Sequence, residues 1–446
     1  MKQRIRRRTV VAGLGAVGAL GAAPASVAAG GLGEDAFTAF LFVLPLIEMA
    51  RARVLVTTRR RDGLGGQVNA IAYGERLAGP DARAVTTPNN DTLYASAFVD
   101  LTEGPLTVVL PETGSRYFSV AVLDMYTNVA ILLGTRTTGG AGGTYRLIGP
   151  QEQPQSDHDL RLATPHGWLM ARILVAGEAD LPVARRIEAG LTLSGPAVPP
   201  PALYATRGAD WPDYFRSAQR LLDSDPPTFK VGLDAVERVR RAGARGDFDR
   251  AGYSAEDARA IDAGVARARA LVQSASGRGR FIDGWTYPPA ELGNFGDHFI
   301  LRAVVAVAGL AALPREEAMY MRAAGDDGGG LFHGDGLYRF TLARPIPVAA
   351  FWSLSMYEAT PDGQFFFTPN ALDRYAIGDR TPGLRRNADG SLDIWIGRRD
   401  PGDERRANWL PASAKGPFAL TLRAYLPKAE LLDGRYRLPA ITAAAG

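Results

Sequence analysis

Two groups of side chains in this 446-residue sequence could carry chemistry: a run of amides with a carboxylate, and arginines set beside tyrosines. The run is Thr86-Thr87-Pro88-Asn89-Asn90-Asp91-Thr92-Leu93-Tyr94. In one reading Asn89 and Asn90 make the Asx turns of a strand entrance and Asp91 caps a backbone amide. In the other, Asp91 is a carboxylate at a sheet end, held by neighbouring amides and available as a general base or as an oxygen ligand to a cation. Arg116-Tyr117 and Arg374-Tyr375 repeat one dipeptide in the two halves of the chain, and Arg423 with Tyr425 is a looser version. A guanidinium fork beside a phenol suits a carboxylate, a sulfate or an array of sugar hydroxyls, and equally suits an ion pair that locks a strand end. Trp352, Tyr357 and Trp409 offer flat surface for a pocket wall. The alternation Phe351-Trp352-Ser353-Leu354-Ser355-Met356-Tyr357 also predicts a half-buried strand with Trp352, Leu354 and Met356 on its core face.

Other chemistry is excluded by residue type. The chain has no cysteine, so disulfides, thiolate metal sites and cysteine nucleophiles are ruled out together. It lacks the Gly-x-Ser-x-Gly, His-Glu-x-x-His, P-loop and dinucleotide signatures. His158, His166, His298 and His333 stand singly, so a histidine metal site needs distant loops to converge. No cofactor fingerprint is present, while oxygen ligands such as Asp91 and Asn90 leave room for a divalent cation.

The elements that must position these residues follow from periodicity and composition. Residues 1–29 read as a twin-arginine signal peptide: Arg7-Arg8 precede a Gly-containing apolar run from Val10 to Leu20, and small residues around Ala28 and Ala29 suit cleavage. The formal charge of +4 includes five basic residues of that segment; without them it is about −1, which removes the high pI as an argument for nucleic acid. No later run reaches the ~20 apolar residues of a membrane span. From Asp35 to Arg60 apolar residues recur at three- and four-residue intervals, predicting a surface helix that packs on a sheet. Short Val/Thr/Tyr-rich runs at 93–99, 106–110, 117–123, 130–134, 144–148 and 168–175 read as antiparallel sandwich strands. Beyond the proline-rich joint Pro196–Pro201, helical periodicity at 214–222, 229–242 and 255–273 predicts a helical insert. A helix at 298–313 and strands at 337–342, 349–356, 391–396 and 418–425, with turns at Asp362-Gly363, Asp389-Gly390 and Asp433-Gly434, predict a second sandwich or jelly roll. The expected division is 1–29 signal, 30–200 first β domain with leading helix, 201–283 helical insert and 284–446 second β domain.

Thr87-Pro-Asn-Asn-Asp-Thr-Leu-Tyr94, Gly114-Ser-Arg-Tyr117 and Gly134-Thr-Arg-Thr-Thr138 resemble the family called domain of unknown function 1254. The second half resembles its usual partner, domain of unknown function 1214, through Arg302-Ala303, Ala318-Met-Tyr320, Phe351 to Tyr357, Asn387 to Leu392, Asn408 to Ala412 and Leu422 to Pro427. The resemblance implies an immunoglobulin-like β-sandwich, a helical linker and a C-terminal jelly roll, in a mainly β protein that is often exported. It adds Arg302 and Tyr320 to the candidate residues. His333 lies where the family tends to have a Leu-x-Gly turn, and no role is carried over to it.

The expectation is an exported enzyme of hydrolase or lyase type acting on a polar or carbohydrate-like small molecule in a cleft between two β domains. Asp91 would be its base, and Asn89, Asn90, Tyr94, Arg116, Tyr117, Arg302, Tyr320, Trp352, Tyr357, Arg374, Tyr375, Trp409 and Arg423 the ligand-binding candidates. The competing expectation is a noncatalytic binding or structural protein of the envelope or exterior. Exposed sheet edges leave room for a homo-oligomer.

Overall fold

The computed structural model describes residues 31–58, 67–83, 86–275, 281–325, 330–334, 336–360, 364–370, 372–412 and 416–444. The signal peptide read over residues 1–29 and the Asp362-Gly363 turn lie outside the described residues. The described residues are mainly β, with four sheets, several helices and, among them, no barrel.

The first half holds two sheets. One has the order β1 (Ala72–Tyr73), β2 (Thr92–Asp100), β8 (His166–Leu174), β4 (Phe118–Asp124), β5 (Val129–Gly134). The other has the order β7 (Asp159–Arg161), β6 (Gly143–Ile148), β3 (Leu106–Leu110), β9 (Thr192–Ser194). Leu93, Ala95, Ala97 and Val99 of β2 join Leu106 and Val108 of β3 in one apolar core. Period-two alternation therefore sends Tyr94, Ser96 and Phe98 to the opposite face of the larger sheet. A short helix α2 (Leu181–Glu188) covers one end.

The second half repeats the plan. One sheet runs β10 (Ala318–Ala323), β17 (Phe418–Pro427), β12 (Val348–Ala359), β13 (Phe365–Phe366), with β14 (Ala376–Gly378) also on β12. Its partner runs β16 (Trp409–Pro411), β15 (Leu392–Gly397), β11 (Leu337–Leu342), β18 (Thr442–Ala444). Trp352, Leu354 and Met356 of β12 and Leu420, Leu422 and Ala424 of β17 form the core between them. A one-turn helix, α7 (Ala429–Leu432), closes the chain's last strand connection.

Helices join the halves. The leading helix α1 (Leu32–Thr58) is not a surface helix: Phe40, Leu41, Phe42, Val43 and Leu44 are five consecutive buried residues, so it is apolar all round and central. Around it lie α3 (Trp211–Ser224), α4 (Leu233–Ala242), α5 (Ala255–Ala275) and α6 (Phe299–Ala308). A side chain at Gly264 would meet the Gly33 carbonyl at 2.0 Å, so glycine there lets α5 lie directly on α1. The buried charged side chains of α1 form ion pairs: Asp35 with Arg238, Glu48 with Arg207, and Arg53 with Asp100. The helical insert expected at 201–283 thus forms one layer with α1 and α6, laid on the outer face of the first half's larger sheet through Phe98, Leu123 and Trp168.

His166 fastens that layer to the sheet. Its Nδ1 lies 2.8 Å from Asp225 at the end of α3, and its Nε2 lies 3.3 Å from Asp100 at the end of β2. Burial works against the charged ring, but the bonds to Asp100 and Asp225 raise it from 6.5 to about 9. The stabilisation is therefore complete below pH 6.5 and is lost as pH climbs through 9, amounting to roughly 3 kcal/mol at 1.36 kcal/mol per unit. Melting temperature followed from pH 6 to pH 9.5 should fall across that window, and His166→Gln should flatten the fall.

Candidate functional site

The faces left over by the two cores meet each other, and both are polar where they meet. Across three neighbouring strands of the first half, Tyr94 stands opposite Arg172, and Arg172 opposite Ser119. Across three strands of the second, Tyr320 stands opposite Arg423, and Arg423 opposite Ser353. Each sheet thus contributes one row reading tyrosine, arginine, serine, with the arginine on the central strand. Tyr425 bridges the rows, its ring 5.1 Å from Tyr117 and 6.5 Å from Tyr320.

The amide-rich run before β2 supplies the bolts between the halves. Asn89 Nδ2 donates to the hydroxyls of Tyr94 at 3.1 Å and Tyr425 at 2.7 Å, while its Oδ1 accepts from the Asp91 amide at 2.7 Å. Asp91 is buried, and both its oxygens are taken from the second half: Ser353 Oγ donates at 2.6 Å and Arg380 Nη2 at 3.3 Å. Arg423 donates to Ser355 Oγ at 2.8 Å and to the Thr87 carbonyl at 3.0 Å; the Tyr357 hydroxyl donates to the Pro88 carbonyl at 2.8 Å. Glu317, also buried, accepts from the Tyr117 hydroxyl at 2.9 Å and from Arg136 Nε at 2.8 Å. Three non-glycine residues here adopt left-handed backbone: Thr87 at φ 52°, Ala311 at φ 67° and Leu426 at φ 50°. Such conformations cost energy and persist only where surroundings enforce them. Thr87 and Ala311 each use theirs to turn a carbonyl onto a buried arginine, Arg423 and Arg172 respectively.

The seam separates its phenols by acidity. Burial raises Tyr117, Tyr320, Tyr357 and Tyr425 above the ordinary value of 10.0. Burial pushes Tyr94 the same way, but the charge of the neighbouring Arg172 and a hydrogen bond from Asn89 overcome it, and Tyr94 falls below 10.0. At the rim, burial lifts the Asp379 carboxyl to about 6 despite Arg380, with the charge of Asp91 adding to the rise.

Seven sequence candidates come together at the seam: Asn89, Asp91, Tyr94, Tyr117, Tyr320, Tyr357 and Arg423. The other seven lie elsewhere. Asn90 donates to the Ala78 carbonyl. Arg116 makes a two-pronged ion pair with Asp180 and bonds the Leu174 carbonyl, so it is the strand-end lock. Arg302 is held by the Tyr126 and Gly296 carbonyls over the Phe229 ring, and burial lowers it to about 10. Arg374 holds the carbonyls of Ala407 and Trp409, Tyr375 bonds Asp373, and the Trp409 indole donates to the Gly397 carbonyl. Trp352 points into the second half's core. The pattern reading missed Arg172, Ser353, Arg380 and Glu317; only the serines carried a signal, since Trp352 on one face of β12 places Ser353 and Ser355 on the other. Among the described residues, no group of three His, Asp or Glu side chains could hold a metal ion, and no helix is long and apolar enough to cross a membrane.

The crystal structure of the VPA0106 protein from Vibrio parahaemolyticus is similar, with TM-score 0.68 at 19% identity over 93% of this chain and 99% of that one. A crystal structure of an uncharacterised Burkholderia cenocepacia protein gives TM-score 0.44 at 14% identity over 91% of this chain and 88% of that one. The Vibrio likeness shows a shared fold. No curated protein matches in sequence. The model of the family described as protein of unknown function (DUF1254) matches residues 68–195, and that of protein of unknown function (DUF1214) matches residues 317–429. The two matched segments carry the facing rows of the seam, and the chain belongs to the family that joins a DUF1254 domain to a DUF1214 domain.

Proposed function

We propose that the seam is the active site of an enzyme of hydrolase or lyase type that performs acid–base chemistry on a small polar, carbohydrate-like molecule, with Tyr94 as the proton-transfer group. The observation that carries this is the placing of Tyr94: half-buried, its hydroxyl accepts from Asn89 Nδ2 at 3.1 Å and its ring lies 5.2 Å from the Arg172 guanidinium, surroundings that draw the phenol down. A proton-transfer group works best when its acidity is drawn toward the working pH, and perturbed groups gather at functional sites. Asp91 has both oxygens engaged and serves as a positioning residue, holding the second half's sheet against the Asn89 loop. The mature chain from Gly30 should be screened against neutral glycosides, uronic acids and hydroxy acids for thermal stabilisation and for product. A ligand at a hundred times its Kd adds about 2.7 kcal/mol. The compound sought is consumed by the wild type and bound but not consumed by Tyr94→Phe. Equal consumption by the variant would overturn the assignment.

The immunoglobulin-like and jelly-roll forms of the two halves belong to the same proposal, supported by two facing sheets in each; an experimental structure with another strand order would refute them. Export through the twin-arginine route is also proposed, on Arg7-Arg8 and the Gly-containing run after them. Arg7→Lys/Arg8→Lys should leave unprocessed precursor in the cytoplasm, and normal processing of that variant would exclude the route.

A further inference from the structure

We propose that Arg172 is the docking group for a carboxylate, so that the seam's ligand is a carboxylic acid rather than a neutral sugar. The inference rests on the seam being a ligand site and goes further by naming the ligand's charge.

Arg172 and Arg423 occupy equivalent places, each at the centre of its row, yet they are treated differently. Arg423 is satisfied by Ser355, Thr87 and Pro88. Arg172 is 4% exposed, and its Nη2 donates to the Ala311 carbonyl at 3.0 Å, but its Nε and Nη1 meet no hydrogen-bond partner among the described residues. Buried guanidinium N–H groups without partners are costly and uncommon. The nearby carboxylates are committed elsewhere: Glu317 to Arg136 and Tyr117, Asp91 to Ser353 and Arg380. The groups nearest the Arg172 charge are the phenols of Tyr94, Tyr320, Tyr117 and Tyr425, and the Glu317 carboxylate feels that charge without bonding to it. Three residues on this face, Tyr94, Met170 and Tyr320, keep partial exposure beside fully buried neighbours. The left-handed Ala311, at φ 67°, sets its carbonyl against Nη2 and so fixes the orientation of this guanidinium. A carboxylate accepts charge-assisted hydrogen bonds along an edge of a guanidinium, and among the described residues no carboxylate bonds to Arg172.

The test compares sodium acetate, lactate and glucuronate with sodium chloride at equal ionic strength, with glucose and inorganic phosphate as controls, on the mature chain and on Arg172→Met. The expected result is a rise in melting temperature of several degrees with at least one carboxylate, none with glucose, and no rise in Arg172→Met. Identical behaviour of the two proteins, including silence in both, overturns the proposal, as does a response to phosphate alone. Should Arg172→Met fail to fold, the wild type still decides. A carboxylate on Arg172 cancels the charge that holds Tyr94 down, so phenolate absorbance at 295 nm should shift to higher pH on its addition. An unmoved titration overturns the proposal. Tyr94→Phe separates the two readings: it should keep the carboxylate response, and if it also keeps turnover, the catalytic assignment fails while Arg172 remains the docking group.

Discussion

Arg423→Met should destabilise the protein by about 3 kcal/mol, since it removes buried hydrogen bonds from a charged donor, each worth about 1.5–3 kcal/mol, and leaves their acceptors buried without a donor. The methionine fills much of the volume, so the loss is electrostatic rather than a cavity. It leaves the Thr87 carbonyl buried without its 3.0 Å donor, deprives Ser355 Oγ of its bond, and takes the cation from between Tyr320 and Tyr357. The Thr87 conformation at φ 52° loses the contact that uses it, so the strain there is no longer offset. Urea unfolding followed by tryptophan fluorescence would read the shift in midpoint. A change below about 1 kcal/mol, the scale of an ordinary single hydrogen bond, would mean that the seam does not bind the halves together.

Tyr94→Phe should act in the opposite manner, sparing the fold and removing the chemistry. The Tyr94 hydroxyl accepts one hydrogen bond from Asn89, whose nitrogen still has Tyr425 at 2.7 Å, so the stability change should stay near 1 kcal/mol. Turnover should fall by about 10²–10⁴, the usual contribution of a positioned acid or base. The pH–rate profile should lose the limb set by the phenol. A variant that keeps both rate and profile would move the proton transfer away from Tyr94.

Much of this site was legible because strands obey a period of two. Reading Trp352, Leu354 and Met356 as the core face of β12 fixes Ser353, Ser355 and Tyr357 on the other face, where they lie. The run from Thr86 to Tyr94 was marked by its density of amides, and Asn89 and Asp91 are the residues that reach across. Arg172 gave no such signal. It stands in β8 between Ala171 and Ile173 with nothing in its sequence neighbourhood to set it apart from a surface residue, and its meaning depends on which strand lies opposite. The Arg-Tyr dipeptides misled for a related reason: the two side chains leave the chain in opposite directions at the entrance to β4, so Arg116 finds Asp180 while Tyr117 turns inward to Glu317. The pairing that matters is across strands, Tyr94 with Arg172 and Tyr320 with Arg423, and depends on register that local periodicity does not encode. The spacing at 32–58 encodes a helix on its own, but its central rather than surface place is written in the unbroken apolar run from Ala39 to Ile47, which leaves the helix no polar face there.

The most direct measurement is the ultraviolet titration of the protein at 295 nm beside that of Tyr94→Phe. The wild type should show a phenolate step below pH 10, ahead of the buried Tyr117, Tyr357 and Tyr425, and the variant should lack that step. Superimposable titrations of the two folded proteins would contradict a tuned Tyr94, and with it an acid–base site at the seam.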